Sequence, residues 1–154
     1  MEEETGTALG LISRQSPEKL RKRVIVIDLA LPLGQIANTA ALLSLSLGRR
    51  FPEMIGADLV DSEGHVRLGI TTHPIPVLKS DADGLRVLRE KCKSFEPELT
   101  VIELISATGT TRSYADYAEA LRQTPAAELT YQGVVLCGET RCVNRLTGSL
   151  GLLR

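Results

Sequence analysis

The sequence RVIVIDLALPLGQIANTAALLSLSL, from Arg23 to Leu47, decides the fold. Its first part, Val24 to Ile27, is a continuous apolar and β-branched run, which is typical of a strand covered on both faces of a largely parallel sheet. Asp28 ends that strand, and after a short turn the run Gln35 to Leu47 is apolar almost all round. Such a run predicts a central helix. A strand that leads directly into a helix is typical of α/β folds.

The C-terminal stretch GVVLCGETRCVNRLTGSLGLLR, Gly133 to Arg154, repeats this order of strand and helix. Between the two stretches the pattern predicts a peripheral hairpin turning at Ser62-Glu63-Gly64, since apolar segments flank that turn. Strands separated by helices imply an α/β/α sandwich. The remaining predicted elements are strands at Pro74 to Lys79 and Leu99 to Ile105, a helix capped by Asp81, and a helix from Ser113 to about Leu121.

The length of 154 residues suits one domain. We expect a mobile N-terminal arm over residues 1–22 and a single α/β domain over residues 23–154. The 18 basic and 19 acidic side chains leave a formal charge of -1, so net charge does not indicate a nucleic-acid partner. The basic clusters Arg21-Lys22-Arg23 and Arg49-Arg50 nevertheless permit transient contact with RNA, although solvated surface charge explains them more simply. No apolar run reaches the length of a membrane helix and the N-terminus is acidic, so we expect a cytoplasmic protein without a membrane partner.

The cysteines and histidines give no pattern that predicts a metal or a cofactor. Cys92, Cys137 and Cys142 are odd in number and lack paired CxxC spacing, which argues against a disulfide framework and a structural zinc site. His65 and His73 have no metal-motif spacing to an acidic residue. We therefore expect reduced core thiols, no metal site and no cofactor.

Polar residues follow the first and last predicted strands, where ligands of such sheets usually bind. If these strands are neighbours, Asp28 and Arg141 form a polar pair beside a cleft, and Glu139 is a candidate base. In the plainer alternative, Asp28 caps the turn and Arg141 is solvated. The candidate residues at the two junctions are Asp28, Gly34, Gln35, Asn38, Gly138, Glu139, Thr140 and Arg141.

Two further groups have a structural and a functional interpretation. Lys79, Asp81 and Asp83 form a charged cluster at a strand-to-helix turn, which could contact phosphate through Lys79 and the helix N-terminus, although helix capping explains the cluster more simply. Tyr114 and Tyr117 lie three residues apart on one helical face. They could stack on a ring, but packing against the core is the simpler role.

The C-terminal stretch, together with the YADY motif at residues 114–117, resembles an uncharacterised family, domain-of-unknown-function family two thousand. The resemblance covers about Arg23 to Arg154. That family is grouped by fold with the type-two peptidyl-tRNA hydrolases, whose opening strand-turn-helix and TG-hydrophobic element are similar to Arg23–Leu47 and to Thr147-Gly148. The resemblance implies a three-layer α/β/α fold with a small mixed, mostly parallel sheet, and a homodimer.

The chain departs from the hydrolase pattern at the residues expected to act in catalysis. Leu33 stands where the hydrolases have a catalytic lysine, Gln35 matches a second lysine, Leu42 a histidine and Asn144 an acidic residue. A leucine cannot stabilise a developing oxyanion, and losing such a group typically slows catalysis about 100- to 1000-fold. Hydrolysis of peptidyl-tRNA by that mechanism is therefore not expected.

We expect a non-hydrolytic module that binds a small polar ligand or a peptide. The alternative is a hydrolase of an amide or ester bond, in which Arg141 replaces the lost lysine and Asp28 or Glu139 is the base. A third alternative is a dimer without a small ligand. The residues expected to bind the ligand are Gly34, Gln35, Asn38, Gly138, Thr140, Asn144 and Thr147, and the candidate catalytic residues are Asp28, Glu139 and Arg141.

Overall fold

The protein is built around one mixed sheet of four strands, with a separate two-stranded hairpin. A computed structural model describes residues 21–109 and 111–154. The chain runs β1 (Arg21–Asp28), α1 (Leu33–Arg50), β2 (Leu59–Val60), β3 (Val66–Arg67), β4 (Val77–Ser80), α2 (Ala82–Cys92), β5 (Thr100–Ile105), α3 (Tyr114–Gln123), β6 (Tyr131–Glu139) and α4 (Thr140–Thr147).

The strand directions differ from those expected. The order in the sheet is β4-β1-β6-β5; β1 is parallel to β4, whereas β6 is antiparallel to both β1 and β5. The α/β class and the mixed sheet are confirmed, but the expectation of a mostly parallel sheet is wrong. Strand β6 is buried on both faces, and such a strand has the same apolar pattern in either direction, so its sequence could not reveal its orientation.

Both faces of the sheet are covered, because successive side chains of a strand point to opposite sides. Val24 and Val26 of β1 pack on the side of α2 and α4. Ile25 and Ile27 pack on the side of α1. The result is three layers, with α1 on one face and α2 and α4 on the other.

Helix α1 buries only one of its faces against the sheet. Leu43 and Leu47 are buried there, whereas Leu45 is 75% exposed. The helix is therefore not central, contrary to the sequence prediction. Between Leu33 and Gly48 it carries no charged side chain. Since an apolar helix face is usually buried, the outer face of α1 is an unusual surface. We call this outer surface, formed by Asn38, Ala41, Leu42 and Leu45, the uncharged face.

Several local predictions are confirmed. Strands β2 and β3 pair as the predicted hairpin, and Gly64 in its turn has φ of 85°, a conformation that favours glycine. Asp81 caps α2, its Oδ1 accepting a hydrogen bond of 2.7 Å from the Gly84 N–H. Ser113 caps α3 in the same way. Short polar side chains before an amphipathic run are therefore reliable start signals in this chain.

The two outer strands of the main sheet are not equivalent. The outer side of β4 is covered by the end of the chain, since the Lys79 N–H donates to the Gly151 carbonyl and the Leu153 N–H donates to the Val77 carbonyl, each at 2.9 Å. At the other border of the sheet, no strand among the described residues pairs with the outer side of β5. The pattern of the C-terminal stretch did not predict this extra pairing.

The predicted domain boundary falls inside a strand. Arg21 and Lys22, assigned to the N-terminal arm by the sequence, belong to β1. The rest of that arm, residues 1–20, lies outside the described residues. No described helix is both long enough and apolar enough to span a bilayer.

Candidate functional site

The structure places the two predicted halves of the site at opposite edges of the sheet, that is, at opposite ends of strands β1 and β6. Because β6 is antiparallel to β1, Glu139 pairs with Arg21 at the start of β1, and Asp28 lies at the other end. Seven residues of strand correspond to about 23 Å at about 3.3 Å per residue. Arg141 follows Glu139 and shares its edge, so it does not form a pair with Asp28. The single cleft expected from the sequence is not formed.

At the edge where β1 ends, the polar groups mostly organise the turn into α1. The Asp28 carboxylate accepts a hydrogen bond of 2.9 Å from the Ala30 N–H, which is the capping role of the plainer alternative. Gly34, Gln35 and Asn38 are exposed on α1. Leu33, in the position where the resemblance expects a lysine, is 82% exposed. This edge therefore presents the amides of α1 and, in the position of the expected lysine, an exposed leucine.

At the opposite edge, several predicted ligand-binding residues serve the fold. The buried Thr147 hydroxyl donates to the Val143 carbonyl at 2.7 Å, within α4. A side chain at Gly138 would come within 2.9 Å of Leu99 Cδ1, so this glycine permits close packing. The Asn144 amide oxygen accepts from Lys22 Nζ at 2.6 Å. Thr140 also lies here and is half-buried, at the start of α4.

This second edge is rich in cations. Arg21 stacks its guanidinium 5.0 Å from the centroid of the Phe51 ring, just beyond the end of α1. Since α1 ends beside the start of β1, basic residues from distant parts of the sequence come together here. We call this the basic edge; its exposed or half-buried cations are Arg21, Lys22, Arg49, Arg50, Arg141 and Arg145.

A concave surface with an apolar lining lies elsewhere, between α1 and the start of α3. It is a groove of about 410 Å³, within the usual range for small-ligand pockets. Leu42 and Leu45 of the uncharged face form one wall, and Leu104 of β5 forms the floor. The opposite wall comes from the loop before α3 and from α3 itself. The remaining lining residues are Ser46, Thr111, Arg112, Ser113, Tyr114 and Tyr117.

The two tyrosines of the groove have different roles. Tyr117 is half-buried, and its hydroxyl accepts a hydrogen bond of 3.3 Å from the Ile105 N–H. Burial raises the pKa of the Tyr117 hydroxyl, so it stays protonated at neutral pH. Tyr114 is 86% exposed, and its ring centroid lies 6.1 Å from that of Tyr117. One ring therefore packs as expected of a core residue, and the other is available to a ligand.

The described lining of the groove is mainly apolar and aromatic. Among the described residues that line it there is no His, Cys, Asp or Glu, and Arg112 is the one charged group. The Ser113 hydroxyl is engaged as the cap of α3, accepting from the Asp116 N–H at 3.1 Å. An apolar or aromatic ligand that carries a negative charge would complement this lining.

The thiols lie away from the groove and are poor nucleophiles. Cys92 and Cys137 are buried, and burial raises the pKa of Cys92 to about 11 and raises the pKa of Cys137 as well. Cys142 is half-buried, and burial also raises its pKa. Within residues 21–109 and 111–154, no three His, Cys, Asp or Glu side chains are grouped as a metal site would require.

The profile of a family described as a protein of unknown function (DUF2000) matches residues 21–154. The chain belongs to the DUF2000 family. Among solved structures, this DUF2000 chain is similar to a protein of unknown function from Agrobacterium tumefaciens strain C58. That structure is 21% identical, has a TM-score of 0.79, and the alignment covers 88% of this chain and 98% of the other. At this identity the likeness shows a shared fold. No curated protein matches the chain.

Membership in DUF2000 confirms the family named from the C-terminal stretch and the YADY motif. The groove was not predicted, although its parts carried a signal. The run Gln35 to Leu47 is apolar on more sides than one sheet face can bury, and Tyr114 lies at the start of a helix, in the YADY motif. These two signals predict a groove only if β5 is known to be the outer strand nearest Leu42 and Leu45, because α3 follows β5.

Proposed function

We propose that this DUF2000 protein is a non-hydrolytic binding module whose ligand occupies the groove between α1 and α3. The observation that carries the proposal is the groove itself, an apolar and aromatic cleft whose described lining contains one cation, Arg112. Such a cleft favours a ligand with an apolar or aromatic group and a negatively charged group nearby. A small amphipathic acid and a peptide with an acidic group both have this chemistry.

The uncharged face supports a peptide among these ligands. Asn38, Leu42 and Leu45 lie on the same side of α1, because residues four and three apart are neighbours on a helix. Asn38 is exposed, and its amide offers both donors and an acceptor to a peptide group. It lies one helical turn from the groove, about 6 Å along the axis.

A non-hydrolytic role is supported by the positions of the candidate catalytic residues. The alternative in which Arg141 replaces the lost lysine required Arg141 to approach the turn before Gln35. It lies instead with Glu139 at the basic edge, at the opposite end of the β1-β6 pairing. We therefore do not retain that alternative. Placement within the type-two peptidyl-tRNA hydrolase-like superfamily stays a prediction from the resemblance, as does the homodimer.

The first test is titration with 1-anilinonaphthalene-8-sulfonate, an aromatic sulfonate that matches the lining. We expect saturable binding at one molecule per chain. Leu45→Glu should weaken it about tenfold, because it removes roughly 1.4 kcal/mol of apolar contact and adds a repelling charge. Arg112→Gln should weaken it about fivefold, since an exposed ionic contact contributes up to about 1 kcal/mol.

The matched control is Val87→Glu, which places the same charge at an exposed apolar residue of α2 on the other face of the sheet. It should leave binding unchanged. Far-ultraviolet circular dichroism of each variant shows whether the fold is intact, because the probe also binds loosely folded states. Equal binding by the Leu45 and Val87 variants would contradict the proposal.

A further inference from the structure

Within the described part of the chain, the outer side of β5 is an open sheet edge beside the groove. In the order β4-β1-β6-β5, the two border strands are β4 and β5. The end of the chain covers β4 through Gly151 and Leu153, whereas none of the described residues adds a strand to β5. Unpaired N–H and C=O groups on such an edge are a template for another extended chain.

Strand β5 lacks two of the usual features that prevent pairing at an edge. Its sequence, TVIELI, has no lysine and no proline. Its one charged residue, Glu103, is an ion-pair partner of Arg89 of α2, and Arg89 also contacts Glu96 at 2.6 Å. The charge of Glu103 is therefore engaged by α2, on the face of the sheet opposite α1.

The available edge ends where the groove begins. The regular pairing of β5 with β6 breaks between Leu104 and Ile105, and the Ile105 N–H is bonded to the Tyr117 hydroxyl. An added strand would therefore pair with Thr100 to Leu104, a length of about five residues. Leu104 is both part of this edge and part of the groove lining.

An added strand would place its side chains in the groove. Ile102 and Leu104 pack on the α1 side of the sheet, and side chains of a neighbouring strand alternate between the same two faces. Every second side chain of the added strand would therefore point to the α1 side, where Leu42 and Leu45 lie. Arg112, on the opposite wall, would meet a carboxylate of the same ligand.

We propose that the ligand is an extended peptide that adds to the outer side of β5, with an apolar side chain in the groove and a carboxylate at Arg112. This inference rests on the proposed function and specifies its ligand. Backbone pairing along β5 supplies the general affinity, and the groove and Arg112 supply the selectivity.

The test uses fluorescent hexapeptides of alternating Thr and Val, acetylated at the N-terminus and amidated at the C-terminus, with one site varied between Leu, Phe and Lys and the last residue either Glu or Lys. Peptides with Leu or Phe and a terminal Glu should bind at least tenfold more tightly than those with Lys at either site. The tightest peptide is then made with N-methyl groups on alternate amides, in both registers. Methylation in one register should weaken binding at least tenfold, and methylation in the other should have little effect.

The variants separate failure of the inference from failure of the proposed function. If Leu45→Glu abolishes peptide binding but N-methylation in neither register matters, the groove is a binding site and strand addition is wrong. If anilinonaphthalene sulfonate binds and no peptide does, the conclusion is the same. If neither the sulfonate nor any peptide binds, or if Leu45→Glu changes nothing, the proposed function fails as well.

Hydrogen exchange followed by mass spectrometry tests the edge directly. In the free protein some β5 amides should exchange rapidly, and the peptide should protect them. Light scattering at the same concentration decides whether a second copy occupies this edge. A dimer in which the β5 amides are already protected, and which the peptides do not dissociate, would overturn the proposal.

Discussion

The two faces of α1 should respond very differently to the same substitution at neighbouring positions. Leu47 is completely buried, whereas Leu45, two residues earlier, is 75% exposed. Leu47→Ala removes a core side chain and leaves a cavity, which costs about 3 kcal/mol within a typical range of about 2–5 kcal/mol. For a chain of this size that corresponds to a fall in Tm of roughly 6–12 °C.

Leu45→Ala should have almost no effect. About a quarter of that side chain is buried, so its removal costs about 0.5 kcal/mol of apolar contact. The better helix propensity of alanine recovers a few tenths of a kcal/mol. The net change in the free energy of unfolding should therefore lie within about 0.5 kcal/mol of zero.

The measurement is urea unfolding of the wild type and both variants, followed by circular dichroism at 222 nm. The slope of the free energy against urea should be the same in all three, so that the midpoints report stability alone. A cost for Leu45→Ala close to that for Leu47→Ala would refute the open uncharged face. It would mean that another segment or another copy of the chain covers Leu45 in solution, and light scattering of the same samples would distinguish the two.

The other predictions concern the thiols, the hairpin, the basic edge and hydrolase activity. At pH 8, iodoacetamide should modify Cys142 well before Cys92. The pKa of Cys92, about 11, leaves about one thiol in a thousand as thiolate at that pH. Mass spectrometry of the native protein shows which cysteine is modified first. The hydrogen bond from the backbone N–H of His65 holds the pKa of Asp61 below its usual 3.8. The contribution of Asp61 to hairpin order should therefore be fully present above pH 3.8 and be lost as pH falls through the lower pKa of the folded state. The amide signals of the hairpin measure this change. Replacing Arg49 and Arg50 with Glu should lower the salt concentration that elutes the protein from heparin, and unchanged elution would contradict the basic edge. Release of an N-blocked amino acid from a peptidyl-tRNA mimic should not exceed background, with a genuine type-two hydrolase as the positive control.

Local structure was predictable from the sequence because its determinants are short-range. Val24 to Ile27 formed the expected buried strand, Asp81 capped a helix, and Gly64 took the positive φ of a tight turn. Each of these features depends on a few neighbouring residues and on rules that do not require the rest of the fold.

The site was not predictable because it depends on the direction of strand β6 and on which helix face remains uncovered. Reversing β6 moves Glu139 and Arg141 to the far edge without changing one residue of the apolar pattern. Leu45 has the same side chain whether its face is buried or open, so sequence alone assigned α1 to the centre. The order of the strands and the helix that packs on each face are long-range properties, and they decided which predicted residues came together.

The way in which Leu152 and its neighbours cover β4 also determines how many partners the sheet can have. Among the described residues the sheet offers one open side, so once a second chain pairs there no unpaired side of either sheet remains. Removing residues 151–154 would give each molecule two open sides, and every added molecule would then present a new one. Contacts that do not close on themselves produce filaments of indefinite length. Residues 151–154 thus limit the number of chains that can pair with the sheet, whatever the strength of each contact.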